Sequence, residues 1–364
     1  PVGPVGIIPL RGSADFSEKV NNCLRQRRIE YLEIKPEIGS LYPGFIRQDY
    51  RIRVNNERFS SGEGKAVILD TVRGHDVFII TDVLNFSVTY KMFGLINHMS
   101  PDDHYQDLKR IILANGGRSR RINIIMPFLY ESRQHKRSSR ESLDCAYMLQ
   151  ELNELGVENI ITFDAHDDRV ANAIPTSGFE NIQSAYQIIK AMVNTIPDLH
   201  ISEGRLMVVS PDEGGISRAM YYASMLGVPL GTFYKRRDYT QVMNGRNPIL
   251  AHEFLGDSVE GMDILIVDDM ISSGESMLDL AKELKSRKAK RIFAAVTFGL
   301  FTDGLESFRA ANENGLIDRV FATNLAYRTP ELLAAPWYSD VNMAKFVALL
   351  IDAINHDASL SGLM

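Results

Sequence analysis

Short runs rich in β-branched and other apolar residues recur along the chain, separated by stretches whose apolar positions fall at helical spacing. The runs Asp76–Thr81, Arg121–Met126, Asn159–Phe163, Leu206–Ser210, Asp263–Val267, Arg291–Val296 and Arg319–Thr323 read as strands. Between them Arg140–Leu155 reads as a helix closed by Gly156, and Ile216–Leu226 as one closed by Gly227, each glycine standing where a helix end favours a left-handed residue. Glu275–Ser286, with Met277, Leu278, Ala281 and Leu284 along one side, and Asp340–Ile354 read as amphipathic helices. Alternation of strand and helix specifies an α/β fold, with central, mainly parallel sheets flanked by helices. Residues 36–57, with Pro36, Gly39, Pro43 and Gly44 in quick succession, read as an irregular insertion.

A length of 364 residues calls for two domains. Pro175, Gly178, Pro197 and Gly204 punctuate the pattern between about 180 and 205, which gives an N-terminal domain over 1–185, a second over 186–335 and a C-terminal helix and tail over 336–364. An apolar share of 45% can furnish real cores. The net charge of -6 argues against nucleic acid as the main partner, because phosphate backbones are gripped by clustered Lys and Arg. Cys23 and Cys145 lack metal-ligand spacing, and Cys145 shares a helical register with Met148, Leu149 and Leu152, as a small core residue would. With no apolar run of spanning length and no charged-then-apolar start, the expectation is a cytoplasmic protein without a membrane partner.

The chemistry is densest at Ile264-Leu265-Ile266-Val267-Asp268-Asp269-Met270-Ile271-Ser272-Ser273-Gly274-Glu275-Ser276. A buried strand delivers two carboxylates at its C-terminal end, where open parallel sheets bind ligands. The Ser/Gly turn that follows opens a helix, so backbone N–H groups, three hydroxyls and the helix dipole converge as an anion cradle. The two acids suit ribose hydroxyls or a magnesium shell. An Asp-Asp pair alone would be an acidic N-cap; the strand, pair and turn together favour a phosphate. This segment resembles the PRPP-binding signature shared by phosphoribosyltransferases and ribose-phosphate pyrophosphokinases (PRPP synthetases).

Four further segments resemble the synthetases in their family order. Ser210-Pro211-Asp212-Glu213-Gly214-Gly215, followed downstream by Lys235-Arg236-Arg237-Asp238, is similar to S-P-D-x-G-G and K-R-R-D. Asp212, at a strand end, suits a magnesium ligand, and Lys235 and Arg237 open a polar loop able to stabilise charge on a reacting phosphate. Asp164-Ala165-His166 resembles the D-x-H segment whose His serves magnesium-ATP. Tyr130 to Gln134 resembles the loop whose Arg and Gln hold ATP, here Arg133 and Gln134, with His135 where the family has Asp. Phe59-Ser60-Ser61-Gly62-Glu63 resembles the segment that stacks on adenine and contacts it across a subunit interface, through Phe59, Ser61 and Glu63, Ser61 standing for an Asp or Asn.

The resemblance implies two phosphoribosyltransferase-type domains. It implies transfer of the diphosphoryl group of ATP to the C1 hydroxyl of ribose 5-phosphate, giving PRPP and AMP for nucleotide biosynthesis. Lys235 and Arg237 would be catalytic; Phe59, Ser61, Glu63, Arg133, Gln134 and His166 would bind ATP. Asp268, Asp269, Ser272, Ser273, Gly274 and Ser276 would bind ribose 5-phosphate, and His166 and Asp212 would hold Mg2+. A homo-oligomer follows from the shared ATP site. Ser272 stands where synthetase loops carry an acid and Glu275 where they carry Gly, and Asp82–Tyr90 lacks the Ser/Gly/Asn character of the family's regulatory loop. Two rival readings are a phosphoribosyltransferase, which would not need the ATP segments, and a non-catalytic regulatory paralogue. No Walker A loop, zincin helix or nucleophile elbow competes with them.

Overall fold

A computed structural model describes residues 1–237 and 249–363, with the side chains of 235–237 and 249–252 outside the description. The chain divides into two compact units: residues 1–183, 325–327 and 342–364 form the first, residues 184–324 and 328–341 the second.

The first unit contains β1 (Val5–Pro9), α1 (Ala14–Ile34), α2 (Glu37–Leu41), β2 (Val54–Arg58), β3 (Gly64–Ile68), β4 (Asp76–Ile80), β5 (Thr89–Met92), β6 (Leu95–His98), α3 (Pro101–Asn115), β7 (Arg121–Ile125), α4 (Asp144–Glu154), β8 (Asn159–Phe163) and β9 (Gly178–Ile182). Its sheet runs β1-β4-β7-β8-β9 with every neighbour parallel. β4 is buried along its whole length, which explains its unbroken apolar run after Asp76. Two antiparallel hairpins, β2–β3 and β5–β6, stand outside that sheet.

The second unit contains α5 (Ala185–Thr195), β10 (Leu206–Ser210), α6 (Ile216–Leu226), β11 (Leu230–Arg237), β12 (Ile249–Leu255), β13 (Asp263–Ile271), α7 (Glu275–Ser286), β14 (Arg291–Gly299), α8 (Glu306–Glu313), β15 (Arg319–Thr323), α9 (Pro330–Ala334) and β16 (Tyr338–Val341). Its order is β12-β11-β10-β13-β14-β15-β16, parallel except where β12 pairs back on β11. One core face gathers Ile264, Ile266, Leu280, Leu284, Phe308 and Trp337. The last helix, α10 (Ala344–Asn355), returns to the first unit and packs on α1.

Both sheets begin with the same ionic device. In the first unit Asp76 faces Arg121 across β4 and β7 and accepts its Nε and Nη2 at 2.9 and 2.8 Å. Asn123 and Asn355 also donate to this buried carboxylate, at 2.8 and 2.9 Å. In the second, Asp263 faces Arg291 across β13 and β14 and accepts its Nε and Nη2 at 2.9 and 2.6 Å. A buried charge persists only when paired and hydrogen-bonded in this way.

The seven expected strands and the helices Ile216–Leu226 and Glu275–Ser286 are present, and Gly156 and Gly227 are left-handed at φ 82 and 64. Other expectations need correction. The helix expected from Arg140 starts at Asp144, because 140–143 form an exposed loop. The one expected from Asp340 starts at Ala344, because Tyr338–Val341 is drawn into the sheet beside β15. The stretch 36–57 holds α2 and most of β2, so it is only partly irregular. Cys145 is fully buried, as its helical register requires.

Candidate functional site

In the second unit, the strand carrying the acidic pair is longer than its apolar run. β13 continues to Ile271, with Asp268 opposite Val296 and Met270 opposite Phe298. The two carboxylates therefore lie within the last part of the strand rather than beyond it. Asp269 is buried, at 3% exposure, while Asp268 is partly exposed. Each folds back on the next backbone amide: Asp269 N–H donates to Asp268 Oδ1 and Met270 N–H to Asp269 Oδ1, both at 2.9 Å. Burial, and then the Asp269 carboxylate beside it, push the Asp268 carboxyl well above the usual range. The Arg218 guanidinium, 3.8 Å away, opposes that rise.

The turn after the strand is fixed by Gly274. It takes φ 89 ahead of α7, and a Cβ there would run into the Phe308 ring. Glycine is thus required both by backbone conformation and by close approach. Thr302 N–H donates to Ser272 O at 3.0 Å, which ties the turn to the loop after β14. Ser272 and Ser273 are half-buried, while Glu275 and Ser276 are exposed in the first turn of α7. The result is a strand, a left-handed turn and a helix N-terminus in immediate succession, a geometry that favours an anion.

Asp212 sits at the end of β10, the strand beside β13. Its Oδ1 accepts the Gly214 and Gly215 amides at 3.0 and 3.3 Å, so it also caps the turn into α6. Arg218, one and a half turns on, is the residue that sequence reasoning missed here. Nothing local marks it, because its guanidinium reaches Asp268, 3.8 Å away, from a different element. Lys235 and Arg237 belong to the strand β11 by backbone, paired antiparallel with β12; their side chains, and the loop expected beyond them, lie outside the described residues.

In the first unit, adjacent parallel strands bring two of the expected segments together. Arg133 and Gln134 follow β7, and His166 follows β8. His135 joins them: its Nε2 lies 3.3 Å from Asp167 Oδ2, and its ring centroid 5.4 Å from that of His166. Hydrogen bonds from Arg169, reinforced by the charge of His135, hold the Asp167 carboxyl well below its usual range. Gln134 donates to Ser142 O at 2.7 Å, while Arg133 and His166 are exposed.

Phe59, Ser61 and Glu63 are carried separately, at the tip of the β2–β3 hairpin. Phe59 N–H donates to Glu63 O at 2.8 Å, Ser61 Oγ donates to Glu63 Oε2 at 2.8 Å, and Phe59 is 55% exposed. Beneath the tip Arg58 pairs with Asp107 on α3 at 2.7 Å, both side chains buried. Among the described residues no three His, Cys, Asp or Glu side chains are grouped to hold a metal, and no helix is long and apolar enough to cross a membrane.

Comparison with known proteins gives the same segments a context. Residues 7–156 match the model of the N-terminal domain of ribose phosphate pyrophosphokinase, and residues 176–309 that of the phosphoribosyl transferase domain. The ribose-phosphate pyrophosphokinase of Vibrio parahaemolyticus is 30% identical over 312 residues, 84% of this chain and 89% of its own length. That of Shewanella oneidensis is 28% identical over 314 residues, with the same coverage. The crystal structure of phosphoribosylpyrophosphate synthetase from Mycobacterium smegmatis superposes with a TM-score of 0.74, at 20% identity, over 97% of this chain and 99% of that one, which shows the fold.

Proposed function

Because this chain belongs to the ribose-phosphate pyrophosphokinase family, we propose that it transfers the diphosphoryl group of ATP to the C1 hydroxyl of ribose 5-phosphate. A bond forms from the C1 oxygen to the β-phosphorus as the bond from that phosphorus to the α,β-bridging oxygen breaks. AMP leaves with the bridging oxygen, and the hydroxyl proton passes to solvent. The observation that carries this reading is the passage from Asp268 and Asp269 through the left-handed Gly274 into α7. It offers acceptors to sugar hydroxyls and a helix N-terminus to the 5-phosphate.

In this reading Ser272, Ser273 and Ser276 donate to the phosphate, and Arg133, Gln134 and His166 take ATP. Lys235 and Arg237 stabilise negative charge on the transferring group. Positioning and electrostatics do most of the work, since phosphoryl transfer asks little covalent chemistry of the protein. Magnesium would find a hard oxygen donor in the Asp212 carboxylate and would need no cage of three side chains, since it commonly binds through one or two protein groups. His166 and, separately, Asp212 are the residues we assign to it, and when bound it neutralises charge on the phosphates. We read the protein as cytoplasmic, in line with its free cysteines, and as a homo-oligomer, since an ATP site shared across a subunit interface needs a second copy.

The test is formation of AMP and PRPP from ATP and ribose 5-phosphate with magnesium, in wild type and Lys235→Ala. Turnover should fall roughly 100-fold or more in the variant, as for loss of a transition-state donor, while ATP still binds. A folded wild type that makes neither product, across several divalent metals and with added phosphate, sinks the reading and leaves the regulatory paralogue or the transferase.

A further inference from the structure

Phe93 has no part in the reading above. It is the most exposed large apolar side chain among the described residues, at 79%, and stands at φ 49 in the two-residue turn between β5 and β6, followed by Gly94 at φ 78. Two successive left-handed residues make the hairpin turn that Asn-Gly serves best. A bulky side chain there is strained. An apolar ring held in water on a strained backbone does nothing for the fold, and such outliers collect where a ligand is held.

The turn is locked against the tip that carries Phe59. Phe93 N–H donates to Ser60 O at 2.8 Å. Gly62, at φ 95, lies so close to Met92 that a Cβ would come within 2.6 Å of its sulfur. The Arg58 guanidinium sits 5.2 Å over the Tyr90 ring while paired with buried Asp107, which fixes the two hairpins to α3. Phe59 and Phe93 are thus exposed neighbours that make no ring contact with each other, with the hydrogen-bonded Ser61 and Glu63 at the same tip.

We propose that Phe59 and Phe93 form one aromatic clamp for a purine ring, so that Phe93 is a base-binding residue for ATP; this rests on reading Phe59 as an adenine platform. Aromatic side chains bind a base by stacking on its π-face, and a base has two faces. Glu63 supplies a carboxylate able to accept from an exocyclic amine, which selects an aminopurine over a plain apolar occupant. The left-handed turn and the bond to Ser60 hold the second ring in place before the base arrives, so little ordering remains to be done on binding.

Calorimetric titration with magnesium-ATP and with magnesium-tripolyphosphate, on wild type, Phe93→Asn and Phe93→Ala, tests the clamp. Asn suits the turn's φ, so Phe93→Asn should melt no lower than wild type. Its ATP dissociation constant should rise about tenfold, the size expected for one lost stacking partner, with tripolyphosphate binding unchanged. Unaltered ATP affinity, or equal losses for both ligands, overturns the proposal. So does wild type that fails to bind ATP. Sedimentation velocity accompanies each variant, and dissociation of Phe93→Asn into smaller species overturns the clamp in favour of a protein contact. Binding needs no turnover: a wild type that makes no AMP, yet loses ATP affinity with Phe93, keeps the clamp and defeats the diphosphokinase reading.

Discussion

Asp268 is held by a strand that would be more stable without its charge. Burial and the Asp269 carboxylate raise its pKa, so the folded form holds the proton more tightly than the unfolded chain does. The stabilising linkage is fully present below the unfolded pKa, near 4, and is lost as pH rises from there through the raised folded value. Asp268→Asn should therefore melt above wild type at pH 8, by on the order of 2 °C, with the difference vanishing below about pH 4. The same variant should lose ribose 5-phosphate binding. Calorimetric melts across that pH range check the first statement and direct titration the second. This pair was legible in the sequence because strand, acids and turn are contiguous. Arg218 and Phe93 were not, since one reaches Asp268 from another element and the other gains its meaning from a hydrogen bond to Ser60.

Elements differ in how openly they declare themselves. The strands β4, β7, β8 and β13 stand out because sustained burial demands sustained apolar sequence. Helix α1, the longest among the described residues, was hidden because its buried stripe mixes Val20 and Leu24 with Ser17, Asn21 and Arg28. Arg28 is buried against Asp352 at 3.0 Å and Asn355 at 2.8 Å, partners more than 300 positions away. The two hairpins escaped for another reason: their strands are only half covered, and polar or exposed residues break the alternation. Helix α3 begins with a capping box, in which Ser100 accepts the Asp103 amide at 3.2 Å and Asp103 accepts the Ser100 amide at 3.0 Å. Ser100→Ala should lower stability by about 1 kcal/mol, read from urea unfolding. Since α3 carries Asp107, the partner of Arg58 beneath the hairpin tip, the variant should also loosen that tip, seen as faster amide exchange at Phe59 and Gly62.

At the scale of the molecule, the two units repeat one plan. Without β11 and β12, the second sheet reads β10-β13-β14-β15-β16, matching β1-β4-β7-β8-β9 in order and direction, and each copy starts with its Asp–Arg pair. The chain nevertheless completes the first unit last. Asn355 of α10 donates to Asp76, accepts from Arg28 and binds Gly3 O at 3.0 Å. Truncation after Val341 removes these partners, costs the buried Asp76 carboxylate one hydrogen bond worth about 1.5–3 kcal/mol, and leaves buried Arg28 without Asp352, a loss of roughly 3–5 kcal/mol. The first unit should then unfold while the second keeps its core, visible as retained near-ultraviolet dichroism from Trp337, the chain's single tryptophan, buried in the second unit.

That late closure sets a timetable on the ribosome. The strands of the first sheet have all been synthesised once Ile182 is made, but α10 is complete only about 170 residues later, roughly 9 to 35 seconds at about 5–20 residues per second. During that interval the mixed stripe of α1, with Val20, Leu24 and the Arg28 charge, awaits its cover, and the second unit, contiguous but for three residues, can finish first. A nascent chain of this kind is a natural client for holdase chaperones, and slow codons placed between the two units would lengthen its exposure rather than relieve it.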